Sequence, residues 1–131
     1  MKLLLDTHIF LWGYLDPSRI VPRVASELES PENELWLSPI STWETILLAH
    51  HGRIVLRDDP IAWVRRALVR FPFREAPLTH EVSLRSRLVT LSHEDPADRF
   101  LAATASVYEL TLVTSDARLL DGSGYSVLAN Q

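Results

Sequence analysis

Four acids, Asp6, Glu44, Asp98 and Asp116, fall where carboxylates can do chemistry. Asp6 directly follows the apolar run Leu3-Leu4-Leu5, and Asp116 follows Leu112-Val113-Thr114 with one residue between. Glu44 lies six residues after Ser38 and three after Ser41; Asp98 lies three after Asp95 and two after Pro96. Carboxylates roughly 4 Å apart repel by about 4 kcal/mol at an effective dielectric of 20. Several such pairs rival a domain's whole stability of roughly 5–15 kcal/mol. If the four meet, they must protonate, separate or hold a cation. Oxygen donors in a chain without cysteine and without an ordered histidine pair favour Mg²⁺ or Mn²⁺ over zinc. Taken singly, each acid also has an ordinary structural role. Glu44 fits a capping box on Ser41, Asp95 an N-cap, Asp98 the positive end of a helix, and Asp6 and Asp116 the ends of strands.

Whether the acids meet depends on the elements that carry them. Leu3–Leu5 reads as a buried strand, with Thr7 as N-cap of a helix to about Tyr14. Val24, Ala25 and Leu28 suggest a second helix, closed by Ser30-Pro31-Glu32-Asn33, and Leu35–Leu37 a second strand. Ser38-Pro39 starts a helix running to about Gly52, and Asp59-Pro60 starts another containing Trp63, Val64, Ala67 and Leu68. Phe73–Leu78 is a weak strand that Pro77 confines to an edge, followed by a helix over His80–Leu91. Asp95-Pro96 opens a helix containing Phe100, Leu101, Thr104, Ala105 and Tyr108; Leu110–Thr114 and Tyr125–Leu128 are the last strands. Strands alternating with helices predict an α/β layer structure around a mostly parallel sheet of four to five short strands. The carboxyl ends of parallel strands share one edge, where ligands bind. Asp6 and Asp116 then share a rim by topology, and the starts of the helices bearing Glu44 and Asp98 lie near it.

Composition narrows the chemistry further. The chain is 47% apolar and 23% charged, which is ordinary for one globular domain, here taken as residues 1–131. No apolar stretch has the length of a secretory signal or a membrane span, so the expected location is the cytoplasm. Net charge is −4, but the segment 53–87 holds eight arginines against four acids. Its Arg65, Arg66 and Arg70 are candidate phosphate contacts, or else solvated helix faces and ion-pair partners. His50 and His51 diverge on a helix, and His8, His80 and His93 stand alone, which assigns them surface or packing roles, with His8 the exception to watch. Trp12, Trp43 and Trp63 fall on apolar helix faces, suited to packing or a dimer contact. The G-x-S-x-G, P-loop and dinucleotide signatures are absent from the sequence.

Four segments together carry a family resemblance: Met1–His8, Ser38–Glu44, Asp95–Ala105 and Leu112–Asp116. In this order and spacing they resemble PIN-domain proteins, most of all the VapC-type toxins of bacterial toxin–antitoxin pairs. The resemblance implies a three-layer α/β fold and a Mg²⁺- or Mn²⁺-dependent endoribonuclease. Asp6 and Asp98 would be its principal metal ligands, with Glu44 and Asp116 completing the site. Thr7 and Ser115 would orient the acids beside them or a bound water. It also implies homodimerisation and a cognate antitoxin protein, while the segment 52–91 carries no recognisable motif. The RNA phosphodiester would be hydrolysed by a metal-activated water, without 2′-hydroxyl attack, leaving 5′-phosphate and 3′-hydroxyl ends. The alternative is a non-catalytic module of the same fold that binds RNA or protein. A receiver-like phosphoacceptor wants two adjacent early acids and a late lysine, whereas Asp6 stands alone and Lys2 is the only lysine.

Overall fold

Leu3, Leu4 and Leu5 are all buried, yet they belong to two different cores. Successive side chains of a strand point to opposite faces, so an uninterrupted apolar run marks a strand covered on both sides. In the computed structural model, which describes residues 1–131, this strand is β1 (Lys2–Leu5). Leu3 and Leu5 pack with Ile9, Phe10, Leu11, Val24 and Ala67 on one face, and Leu4 packs with Leu101, Ala102, Ala105 and Leu119 on the other.

The chain continues through α1 (Thr7–Leu15), a 3₁₀ turn (Pro17–Arg19), α2 (Pro22–Glu29), β2 (Glu34–Leu37), α3 (Pro39–His50) and α4 (Pro60–Arg70). It then forms β3 (Arg74–Glu75), α5 (His80–Arg85), α6 (Pro96–Tyr108), β4 (Thr111–Thr114), α7 (Ala117–Leu120) and β5 (Ser126–Ala129). The sheet has five strands in the order β3-β2-β1-β4-β5, every pair parallel. From β1 the chain steps outward through β2 to β3, then crosses back to the other side of β1 for β4 and β5. The order therefore reverses between β1 and β4, the place where open α/β sheets form their ligand crevice. Helix starts follow local chemistry: Ser38, Asp59 and Asp95 each cap a helix whose first residue is proline. No helix is long and apolar enough to cross a membrane.

Several local expectations are corrected. The N-cap of α1 is Asp6, not Thr7, and its side chain makes no capping bond. The strand expected over Phe73–Leu78 shrinks to β3, still at the sheet edge. The helix expected over His80–Leu91 stops at Arg85. Beyond it the buried Arg99 guanidinium donates to the carbonyls of Ser86 at 2.8 Å and Val89 at 3.3 Å, and Thr90 bridges to Ser123. The backbone there keeps tight turns back to Val82, Leu84 and Arg85, while the carbonyls of Ser86 and Val89 go to a side chain from α6 instead of extending the ladder. Trp43 is 53% exposed, so it does not pack within its own chain, and α7 is a short helix that the sequence pattern does not announce.

Candidate active site

The carboxyl ends of β1 and β4 are tied together by hydroxyl chemistry. Asp6 Oδ2 accepts a hydrogen bond from Thr114 Oγ1 at 2.6 Å, and that hydroxyl accepts the Asp116 backbone N–H at 3.0 Å. Asp6 is 7% exposed, and burial pushes its carboxyl above the ordinary aspartate range against the pull of the Thr114 bond. Glu44 reaches the same rim from the second turn of α3. Its Oε1 is 2.5 Å from Thr7 Oγ1, which also lies 3.0 Å from Ser41 Oγ. The expected capping box does not form, because Ser38 rather than Ser41 caps α3. Burial pushes Glu44 up to about 7 against the Thr7 bond, with the charges of Asp6, Asp98 and Asp95 adding to the rise.

Asp98 sits in the first turn of α6, 7% exposed, with Oδ2 2.7 Å from His93 Nε2 and 3.6 Å from an Arg118 guanidinium nitrogen. Burial pushes it up to about 6 against the His93 bond, helped by the charges of Asp95, Asp6 and Asp116. Asp116 behaves differently. It caps α7 through the Arg118 N–H at 2.9 Å and pairs with the Arg118 guanidinium at 3.2 Å. Burial works against it, yet these Arg118 contacts hold its carboxyl below the ordinary range. The charge of Asp6 acts on Asp98 and Glu44, and that of Asp116 on Asp6 and Asp98, so the four acids are electrostatic neighbours.

Two residues outside the expected quartet join them. His93, Asp95 and Asp98 each offer a ligand atom within 4.8 Å of the others, a group able to hold a metal ion. Asp95 caps Ala97 N at 3.1 Å through Oδ1, as its position before Pro96 suggested. His93, expected to be a surface or packing residue, lies against Asp98, while His8, the exception to watch, is exposed, lies 5.8 Å from Trp12 and acts on Asp6 through its charge. The signal for His93 was its place two residues before Asp95. Arg118 was signalled only by following Asp116 by two.

Other candidates lie elsewhere. The Ser115 hydroxyl donates to Asn130 O at 3.0 Å and accepts from Asn130 Nδ2 at 2.7 Å, so it is engaged with the end of β5 rather than with an acid. Arg65, Arg66 and Arg70 project from α4. Arg66 and Arg70 border a cleft with Tyr14, Leu15 and Trp63, and Arg66 pairs with Asp58 at 2.9 Å. Tyr14 and Leu15 end α1, while Asp6 begins it, so this cleft is about 12 Å from the acids at 1.5 Å rise per residue.

The donor set fits a divalent cation. Two full carboxylate charges within 4.8 Å of each other repel by at least about 3 kcal/mol at an effective dielectric near 20. Arg118, 53% exposed, is the cation paired with Asp98 and Asp116. Each of three acids has one oxygen held by a neighbouring side chain: Asp6 by Thr114, Glu44 by Thr7 and Asp98 by His93. Outer partners that fix a carboxylate's direction are what a ligand set for a hard cation requires.

The PIN-domain family model matches residues 3–123. The chain belongs to the PIN-domain family. A PIN relative, Ribonuclease VapC22 of Mycobacterium tuberculosis, is 32% identical over 117 residues covering 88% of each chain. Solved structures share the PIN architecture. VapBC2 from Rickettsia felis, bound to a DNA fragment from the promoter, aligns with a TM-score of 0.72 at 15% identity over 98% of both chains. FitAcB from Neisseria gonorrhoeae aligns with a TM-score of 0.70 at 23% identity, over 98% of this chain and 97% of that one.

Proposed function

We propose that this PIN domain, spanning residues 1–131, is a metal-dependent endoribonuclease and the toxin of a toxin–antitoxin pair. The observation that carries this reading is the convergence of Asp6, Glu44, Asp98 and Asp116 at the β1–β4 switch point, with three of them pinned by Thr114, Thr7 and His93. The 32% identity to a protein named as a ribonuclease supports it. Asp6 and Asp98 are the principal ligands in this reading, Glu44 and Asp116 complete the set, and Mg²⁺ is the expected ion, with Mn²⁺ able to replace it. What such an ion supplies when bound is a lowered pKa for a coordinated water and neutralisation of a phosphate oxygen.

The chain's own groups do the rest. Thr114, Thr7 and His93 hold three carboxylates in fixed directions, so the ligand oxygens need no reorganisation. Burial and the neighbouring acids lift Glu44 to about 7, so a cation joining the set at neutral pH would displace a proton from its carboxyl. Arg118 offers a guanidinium at the rim that a phosphate oxygen could share with Asp116. Attack by water leaves 5′-phosphate and 3′-hydroxyl ends. Phosphate contacts at Arg65, Arg66 and Arg70 belong to RNA well away from the scissile bond, and charge swaps there weaken binding most at low salt. The cytoplasm, a homodimer and an antitoxin partner complete the proposal.

The deciding experiment is cleavage of cellular RNA by the wild type and by Asp6→Asn and Asp98→Asn, with Mg²⁺ or Mn²⁺ and then with EDTA. The reading expects cleavage by the wild type alone, only with metal, with 5′-phosphate ends. Activity that survives both substitutions or the chelator overturns it.

A further inference from the structure

Trp43 precedes Glu44 on α3, and its side chain is 53% exposed although it is the largest kind of apolar surface a protein can bury. It forms the wall of a groove of about 250 Å³ between α3 and the first turn of α6. One end of the groove holds Glu44 and Asp95, and the other holds His51 and Arg53. The volume is below the roughly 300–1,000 Å³ of a pocket for a drug-sized ligand. An apolar slot of this size, acidic at one end and cationic at the other, matches one flat ring with an anionic group beyond it.

We propose that this groove is the subsite for one unpaired nucleotide of the RNA substrate, next to the scissile phosphate. Its base stacks on the Trp43 indole, and its outer phosphate meets Arg53. This rests on the ribonuclease reading and adds to it two binding residues, Trp43 and Arg53, whose nucleotide must be unpaired, since a paired base cannot leave its stack to lie on an indole. Trp43 and Arg53 are binding residues that set position and specificity, while the acids keep the chemistry. Charge complementarity favours a nucleotide over an apolar peptide, because the slot ends in His51 and Arg53 on one side and adjoins the proposed cation site on the other.

The test measures binding separately from cleavage. Wild type, Trp43→Ala, Trp43→Phe and Arg53→Ala are titrated in EDTA with a fluorescein-labelled unstructured RNA and with its duplex, and Trp emission is followed in parallel. The subsite predicts tighter binding of the single strand than of the duplex, with quenching of Trp emission that disappears in Trp43→Phe. It also predicts a roughly 5- to 100-fold rise in Kd for Trp43→Ala and near-complete rescue by Trp43→Phe. In Arg53→Ala the salt slope falls by about one phosphate contact. Equal affinity of wild type and Trp43→Ala, or equal binding of duplex and single strand, overturns it. So does a change of oligomeric state in Trp43→Ala without loss of RNA affinity, since the groove would then be a contact between copies of the chain. RNA bound through Trp43 but never cleaved with metal would leave the subsite standing and sink the nuclease reading; cleavage indifferent to Trp43 would do the reverse.

Discussion

Asp98→Asn should make the protein more stable at neutral pH while removing its activity. The carboxyl of Asp98 is pushed from 3.8 to about 6 in the folded state, chiefly by burial. An acid whose folded pKa is raised binds its proton more tightly in the folded chain than in the unfolded one. Stability is then highest at low pH and falls as pH rises between the two values, from about 4 to about 6. Above that window the full penalty is present. At about 1.4 kcal/mol per pKa unit it approaches 3 kcal/mol, and solvent at the mouth of the cleft screens it to about 1–2 kcal/mol. Asparagine occupies the same space, still accepts from His93, and also relieves Asp6 and Glu44 of a neighbouring charge. For a domain of this length the gain corresponds to roughly 4 °C of melting temperature per kcal/mol. Thermal and urea unfolding of both proteins in EDTA at pH 7 and pH 4.5 measures it, with the advantage expected to shrink to about a third at the lower pH. Added Mg²⁺ should raise the wild type's melting temperature and leave the variant nearly unmoved. An Asp98→Asn protein less stable than wild type at pH 7 in EDTA, or an advantage that does not change with pH, would refute the reasoning.

Thr7→Val should remove the hydroxyl that pins Glu44 Oε1, costing about 1–2 kcal/mol in urea unfolding and most of the cleavage rate, with Thr7→Ser restoring both; an unchanged urea midpoint and rate would count against the pinning role. Asn130→Ala should cost about 2–3 kcal/mol, because Asn130 accepts from Val21 N at 2.8 Å and donates to Arg19 O at 3.0 Å and Ser115 at 2.7 Å. A loss below the error of chemical denaturation would show those groups satisfied without it. Glu109→Gly should raise stability by about 1 kcal/mol, since Glu109 ends α6 in the left-handed region at φ 55°; a lower melting temperature in the variant contradicts that.

The centre of the sheet was legible because β1 and β4 are covered on both faces, which writes Leu3-Leu4-Leu5 and Leu112-Val113 as unbroken apolar runs. Proline after Ser38, Asp59 and Asp95 announced three helix starts that the structure bears out. What could not be read depends on distant partners. The end of α5 is set by Arg99, which lies 14 residues beyond Arg85 and captures carbonyls that a local pattern assigns to a helix. Trp43 has the right periodicity for packing, but periodicity does not say whether anything lies opposite. His93 has no pattern of its own and acquires its neighbours only when α6 turns its first residues toward the rim.

Within the site, two hydroxyls next to acids in sequence each reach an acid from elsewhere in the chain. Thr7 follows Asp6 but holds Glu44, and Thr114 stands two before Asp116 but donates to Asp6, 108 residues away. Strand geometry explains this crossing. An acid just past a strand end turns into the crevice, while the hydroxyl beside it turns toward the next element and meets the acid arriving from there. Asp6 and Glu44 are therefore held by distant parts of the chain, while Asp98 and Asp116 are held by His93 and Arg118 close to them in sequence, and the rim assembles only when β1, β4, α3 and α6 are all docked. Folding and alignment of the candidate site then become one event, and a half-folded chain presents no ordered set of ligands to an ion or to RNA.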